Sequence, residues 1–236
     1  MIKTTLITGA TKGIGMVIAN GLLEKGHRII NVSKSGAIPD AFRNKSFESH
    51  KCDISNFVHT NELVNNIVAN EKIDNVILNS GITKDKVFHK MKMEEWIDVL
   101  NTNLLSAYGI LNPIINQMRI NNKGNIIFIS SVNAHRPVLG QTNYASSKSG
   151  LIALNRCLAL ENASKNIKCN VISPGYIETE MIKSIREDIR EHIKSEIPMK
   201  RFGQPEEILN VINMLLEEDN YFQGANININ GGLLMR

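Results

Sequence analysis

Thr4-Thr-Leu-Ile-Thr-Gly-Ala-Thr-Lys-Gly-Ile-Gly15 is the stretch from which the fold is read. Its first five residues form a short, β-branched run that predicts a buried strand. A glycine-rich turn follows, then a helical pattern from Met16 to Lys25. Strand, glycine turn and helix in that order begin a nucleotide-binding βαβ unit. Gly9 suits the tight turn, while Gly13 and Gly15 would let the backbone approach a phosphate closely. The first turn of the helix offers free N–H groups to an anion. The spacing is GxxxGxG and not GxGxxG, so the reading rests on where the glycines stand.

Further strand-like runs occur at Arg28–Ser33, Ser46–Cys52, Asp74–Asn79, Asn125–Ser130, Cys169–Ser173 and Asn226–Asn230, separated by helical patterns. This alternation predicts one α/β domain over 1–236, a doubly wound seven-stranded parallel sheet flanked by helices on both faces. One long helix is expected from Met93 to Met118, with Trp96, Leu100, Leu104 and Leu111 on one side. Asn103 lies inside it, where a buried amide needs partners. Ile182–Ile197 reads as a charged helix within a substrate-loop insertion at about 178–200, beyond a strand's carboxyl end. A further helix opens at Pro205 and runs to about Glu217.

The second strand ends in Ser33-Lys34-Ser35, without the carboxylate that would bind ribose hydroxyls and favour NAD. Lys34, helped by Ser33 and by Lys12, suits a 2′-phosphate, so NADP(H) is the expected cofactor. Asp40 is a remote acidic alternative, and a plain loop lysine is the bland one. Asp53, after the third strand, could accept an adenine amino group or cap the helix that begins near Asn56. The turn Asn79-Ser80-Gly81 would let the backbone lie against a flat ring or a ribose.

Ser131-Val-Asn-Ala-His-Arg-Pro-Val-Leu-Gly-Gln-Thr-Asn-Tyr-Ala-Ser-Ser-Lys148 carries the chemistry. It joins the buried run at Asn125–Ser130 to a helical pattern through Leu151, Leu154 and Leu158. Tyr144 and Lys148, four apart, would share a helix face. An ammonium beside a phenol lowers the phenol's pKa and makes it a proton donor and acceptor nearer neutrality. Ser131, at the strand's end, could bond the same substrate oxygen. The bland alternative is an amphipathic rim contact. His135 reads as a loop surface residue.

The composition, 42% hydrophobic and 21% charged, suits a chain that buries a full core. A net charge of +4, in short interrupted basic stretches, does not point to nucleic acid. Cys52, Cys157 and Cys169 form no CxxC pair, which fits a reducing compartment and neither a disulfide framework nor a metal site. No long apolar run or signal-peptide core is visible. A soluble, cytoplasmic protein without membrane association is expected.

Taken in order, Thr8–Gly15, Asn79-Ser80-Gly81, Asn103, Ser131, Tyr144 with Lys148, and Pro174-Gly175 resemble the short-chain dehydrogenase/reductase family over essentially the whole chain. Ser80 departs from that family's usual Asn-Ala-Gly. The resemblance implies a Rossmann fold and a cofactor site of Gly9, Thr11, Lys12, Gly13, Ile14, Gly15, Ser33, Lys34, Asp53, Asn79, Gly81, Tyr144, Lys148, Pro174, Gly175, Ile177 and Thr179. Its implied catalytic set is Asn103, Ser131, Tyr144 and Lys148. Tyr144 is the implied acid and Lys148 binds the nicotinamide ribose. Ser131 places the carbonyl, and Asn103 holds a relay water. Within the family the chain looks most like 3-oxoacyl-thioester reductases, acting on 3-oxoacyl-[acyl-carrier-protein] or on acetoacetyl-CoA in fatty acid or polyhydroxybutyrate synthesis. Ser131, Gln141, Tyr144 and Tyr176 would meet the substrate. Lys165 stands near a carrier-docking position, and Asn122 stands where a second basic residue is common. The family also implies a homotetramer with interface helices around Asn103 and Leu151. The competing readings are a reductase of another ketone or alcohol, and a non-catalytic redox sensor.

Overall fold

Each central strand alternates its apolar side chains between two buried faces, so each needs cover on both sides. In the computed structural model, which describes residues 2–235 and of Met181 the backbone alone, helices supply that cover. The elements run β1 (Thr4–Thr8), α1 (Gly13–Glu24), β2 (Arg28–Ser33), β3 (Phe47–Lys51), α2 (Phe57–Asn70), β4 (Asn75–Leu78), α3 (Met93–Leu100) and α4 (Ser106–Asn121). They continue with β5 (Gly124–Ile129), α5 (Thr142–Asn162), β6 (Ile167–Pro174), α6 (Glu180–Lys183), α7 (Glu187–Glu196), α8 (Pro205–Leu215) and β7 (Asn226–Ile229). The seven strands form one sheet in the order β3-β2-β1-β4-β5-β6-β7, and every neighbouring pair is parallel.

Leu6, Val76, Phe128 and Val171 pack on one face with Val64 of α2, Ile110 and Ile114 of α4, and Leu151 of α5. Ile7, Ile77, Ile127 and Ile172 pack on the other with Ile18 and Leu22 of α1 and Ile208 and Ile212 of α8. Fully burying such a side chain contributes about 1.5–3 kcal/mol. The sheet therefore holds the loops at its carboxyl edge on a rigid base. Strand order reverses direction between β1 and β4, and in sheets of this kind ligands bind outside the strand ends at that point.

Three sequence expectations need correction. The long helix from Met93 is interrupted: Asn101–Leu105 form a π turn, in which the Ser106 N–H reaches back five residues to the Asn101 carbonyl. A π turn accommodates an extra residue and re-aims side chains. Ile182–Ile197 is two helices, because Arg186 takes an extended conformation between α6 and α7. The cap of α2 is Asn56, whose side chain accepts from the His59 N–H, and not Asp53. Asn122, considered above for carrier docking, ends α4 in the left-handed conformation that asparagine tolerates.

Candidate active site

The carboxyl ends of β1 and β4 are stitched together. The Asn79 and Ser80 N–H groups each donate to Thr8 Oγ1 at 3.0 Å, and Asn79 Nδ2 donates to the carbonyls of Thr8 and Gly9. Asn31 of β2 accepts from the Ala10 N–H at 2.8 Å and donates to Ser33 and Ser49. Gly13 has a φ of +54°, and a side chain there would find only the Thr179 methyl, 3.8 Å away. Gly13 and Thr179 thus face each other across an open slot at the start of α1. Lys12, the N-cap of α1, makes no side-chain cap bond, so the first-turn N–H groups stay available to an anion. Gly15 is also required by packing. A Cβ there would overlap the Gly9 carbonyl and the Asn79 amide, so it lets helix and loop pack. Thr11 and Ile14 are half-buried beside it.

At the outer end of this crevice Lys34 Nζ lies 2.7 Å from Asp53 Oδ2. The other Asp53 oxygen accepts from the Ser55 N–H and hydroxyl at 3.1 and 2.7 Å. Hydrogen bonding to Lys34 and Ser55 holds the Asp53 carboxyl below its ordinary pKa. Ser33 is buried, with its hydroxyl accepting from Asn31 and from the Gly36 N–H. Asp40 pairs with Arg43 in a 3-10 turn instead of closing the end of β2.

At the inner end, β5 delivers Ser131 and the first turns of α5 deliver Tyr144 and Lys148. Ser131 Oγ accepts from the Asn133 N–H at 3.1 Å, and Ser131 stands near enough to the Tyr144 phenol to pull its pKa down. Lys148 is 3% exposed. Its Nζ donates to the Ile129 carbonyl at 2.8 Å, while Ser130 Oγ donates to the Lys148 carbonyl. Strand and helix are thereby bolted together at the reacting groups. Burial lowers the Lys148 pKa to about 8.

Tyr144 is half-buried; burial pushes the pKa of its phenol up, Ser131 pulls it down, and Asp85 raises it. Lys148, the ammonium expected to favour the phenolate, stands beside the ring. Its Nζ is 5.7 Å from the ring centroid and is turned to Ile129.

Asn103 is buried, and its amide is spent on the protein. Oδ1 accepts from the Ile82 N–H at 2.8 Å, and Nδ2 donates to the Ile82 carbonyl and to Ser147 Oγ, both at 3.0 Å. Ser147 in turn donates to the Tyr144 carbonyl at 2.7 Å. A Cβ on Gly81 would lie 3.2 Å from Lys148 Nζ and 3.4 Å from Asn103 Oδ1. The expected set of Asn103, Ser131, Tyr144, Lys148 and Gly81 therefore does converge. Pro174 ends β6, Gly175 fits tightly against Asn230, and Ile177 is buried where it bridges to Gly203.

Several contributors escaped the sequence reading: Asn31, Ser147, Asp85 and Asn143, which donates to the Lys84 and Glu95 carbonyls and accepts from the Tyr144 N–H. Asn143 and Ser147 stand on the face of α5 that carries Leu151. Polar residues on an apolar helical face were the available signal.

Toward the substrate side, Gln141 accepts from Asn133 at 2.9 Å and donates to Asp85 at 2.7 Å. Tyr176 lines a cavity of about 320 Å³ with Ile197, Met199, Asn230 and Leu234. α7 buries no residue. Arg190 ties it to Glu178 and Phe202, and Glu196 pairs with Arg136 at 2.7 Å. His135 is half-buried against Asn226, 2.8 Å away, and not a free surface group. A larger apolar cleft, about 760 Å³, runs between α4 and α5, and no residue of the catalytic set lines it. Among the described residues no group of three or more His, Cys, Asp or Glu could hold a metal. No helix among them is long and apolar enough to cross a membrane.

The family profile described as enoyl-(acyl carrier protein) reductase matches residues 9–234. The chain belongs to the short-chain dehydrogenase/reductase family. It is 35% identical to an acetoacetyl-CoA reductase of Acinetobacter sp. (strain RA3849) over 243 residues, covering 99% of this chain and 98% of that one. It is 35% identical to the 3-oxoacyl-[acyl-carrier-protein] reductase FabG of Aquifex aeolicus (strain VF5), covering 98% and 97%. The solved structure of ElxO with NADP bound superposes with a TM-score of 0.91 at 28% identity, over 99% of both chains. This short-chain dehydrogenase/reductase matches the two relatives in sequence, and ElxO in fold, over nearly its whole length.

Proposed function

We propose that this chain is an NADPH-dependent reductase of 3-oxoacyl thioesters, acetoacetyl-CoA or a 3-oxoacyl-[acyl-carrier-protein], and that it yields the 3-hydroxyacyl thioester. The reading is carried by the convergence of Ser131, Tyr144 and buried Lys148 at the carboxyl ends of the strands, beside the glycine turn that opens α1. The residues fit NADP(H). Gly13 leaves a slot open at an uncapped helix start, and Gly81 leaves no room for a side chain beside Lys148. Gly9, Thr11, Lys12, Gly13 and Ile14 would hold the phosphates, with Gly15 packed beneath them. Ser33, Lys34 and Asp53 would hold the adenosine end. Asn79, Gly81, Pro174, Gly175, Ile177 and Thr179, with Tyr144 and Lys148, would hold the nicotinamide riboside. Bound there, the cofactor supplies a hydride to the 3-keto carbon.

The protein's own groups supply the rest. Ser131, already accepting from the Asn133 N–H, would turn its hydroxyl proton to the keto oxygen. Tyr144 gives its phenolic proton to the same oxygen as charge develops. A phenol held above its ordinary pKa is in its acid form at neutral pH, the form that reduction consumes. The phenolate left behind is stabilised by the Lys148 ammonium. Asn103 acts first as a positioning residue, fixing Ile82 and, through Ser147, the first turn of α5. Its two amide hydrogens are committed, so a relay water would rest on a remaining oxygen lone pair.

Gln141 and Tyr176 would border the acyl chain, with the segment at 178–200 as a lid over this single NADP-binding domain. The apolar cleft between α4 and α5, with exposed Leu105, Tyr108 and Leu160, supports assembly into a homotetramer. A cytoplasmic place in fatty acid or polyhydroxybutyrate synthesis accords with this chemistry. The test is NADPH oxidation with acetoacetyl-CoA, longer 3-oxoacyl thioesters and unrelated ketones. Turnover concentrated on the thioesters is expected. Turnover confined to unrelated ketones, or none at all, overturns the proposal.

A further inference from the structure

We propose that the ion pair between Arg136 and Glu196 is a latch that holds α7 against the loop carrying Ser131, and that the thioester enters and leaves when this pair parts. The inference rests on the reading above that the segment at 178–200 covers the acyl pocket.

The Arg136 side of the pair is fixed. Arg136 leaves the 3-10 turn that follows Ser131. The Ala134 N–H donates to the Ser131 carbonyl, and the His135 and Arg136 N–H groups both donate to the Val132 carbonyl. Ser149 Oγ of α5 donates to the Ala134 carbonyl at 2.7 Å, which ties the turn to the helix of Tyr144 and Lys148.

The α7 side is not fixed by packing. A surface helix ordinarily keeps its place by a buried apolar stripe, and α7 buries no residue. Arg190 bonds Glu178 at 2.9 Å, but Glu178 belongs to the same segment. Arg190 and Lys194 lie over the Phe202 ring, just beyond the segment's end. His192 stands 3.6 Å from Glu196 on α7 itself and adds no tie to another element. Arg136 and Glu196, 2.7 Å apart and 60 residues apart in sequence, join α7 to the catalytic loop.

The pair also stands where access to the pocket is decided. Glu196 ends α7, and the next residue, Ile197, is buried and lines the cavity with Tyr176. Tyr176 lies in the field of both partners: burial raises its pKa, Arg136 lowers it and Glu196 raises it. With side chains 31% and 41% exposed, the pair is firm enough to bias α7 and weak enough to part in each turnover.

Hydrogen–deuterium exchange of the full chain reads the latch without any substrate. Glu196→Gln is expected to speed exchange of the α7 amides about two- to fivefold, the scale of one part-exposed ion pair, and to leave the α8 amides unchanged. Dissociation of 3-hydroxybutyryl-CoA from the NADP⁺ complex, followed by stopped flow, should quicken by the same factor. Arg136→Gln should match Glu196→Gln, and the two together should do no more than either, because they break one bond. The exchanged pair, Arg136→Glu with Glu196→Arg, should restore both rates. Exchange that rises equally in α7 and α8 marks a general loss of stability and overturns the inference. So do unchanged α7 exchange, additive single variants, or an exchanged pair no better than the singles. If the unmodified chain binds no thioester, the proposed function has failed, and the α7 exchange alone then judges whether the pair holds the helix.

Discussion

Lys148 holds its ammonium, 3% exposed, against the carbonyl of Ile129 at 2.8 Å, and among the described residues no carboxylate pairs with it. A buried cation without a counter-ion is a cost to the fold that function must justify. Its pKa falls from 10.5 to about 8, so the folded chain binds fewer protons than the unfolded one between those values. Stability from this group therefore rises with pH across that window, and the full cost is present at pH 7. Lys148→Met should abolish reduction yet stabilise the cofactor-free protein at pH 7 by about 1–3 kcal/mol, less what the orphaned Ile129 carbonyl takes back. Urea unfolding at pH 7 reads it, and a destabilised variant would contradict the account.

The same lysine sets an upper limb in the rate profile. Reduction leaves a phenolate that a protonated Lys148 stabilises. The free-enzyme kcat/KM should then decline as pH rises through about 8. A profile flat to pH 10 would remove Lys148 from the chemistry.

Asn103 links three segments, so its loss should read in stability as well as rate. Asn103→Ala leaves Ile82 and Ser147 with unpaired groups and should cost about 1–3 kcal/mol. In kinetics the loss should fall on kcat more than on KM for NADPH, because α5 loses its anchor and the glycine loop does not.

Below neutral pH, His27 matters. Burial, then Lys3 and Lys25, lower its pKa from 6.5, and its Nδ1 lies 2.9 Å from Thr5 Oγ1. The folded state thus favours neutral His27. Stability is full above 6.5 and is lost as pH falls below it, because the unfolded chain takes up the proton first. His27→Asn should flatten the decline in urea midpoint between pH 7.5 and 5.5.

The sheet and the glycine turn were legible in Thr4–Gly15 because strand, turn and helix each leave a local period or composition. The π turn was not. Trp96, Leu100, Leu104 and Leu111 continue a helical spacing, and the interruption is tied to partners 21 and 44 residues away from Asn103. Tyr144 and Lys148 were visible as a four-residue spacing, but the sense of the pKa shift was not. Burial of the phenol pushes it up, and burial is not written in the spacing. Gly15 was legible as a glycine, but its role emerged only when α1 closed against the Gly9 carbonyl.

The most direct measurement is NADPH oxidation with acetoacetyl-CoA by Tyr144→Phe, alongside NADPH binding by fluorescence titration. Removing the phenolic proton alone should cut turnover by about 10²–10⁴-fold while NADPH binding stays within a few-fold. Near-normal turnover in a variant that still binds NADPH would contradict the claim that Tyr144 is the proton donor.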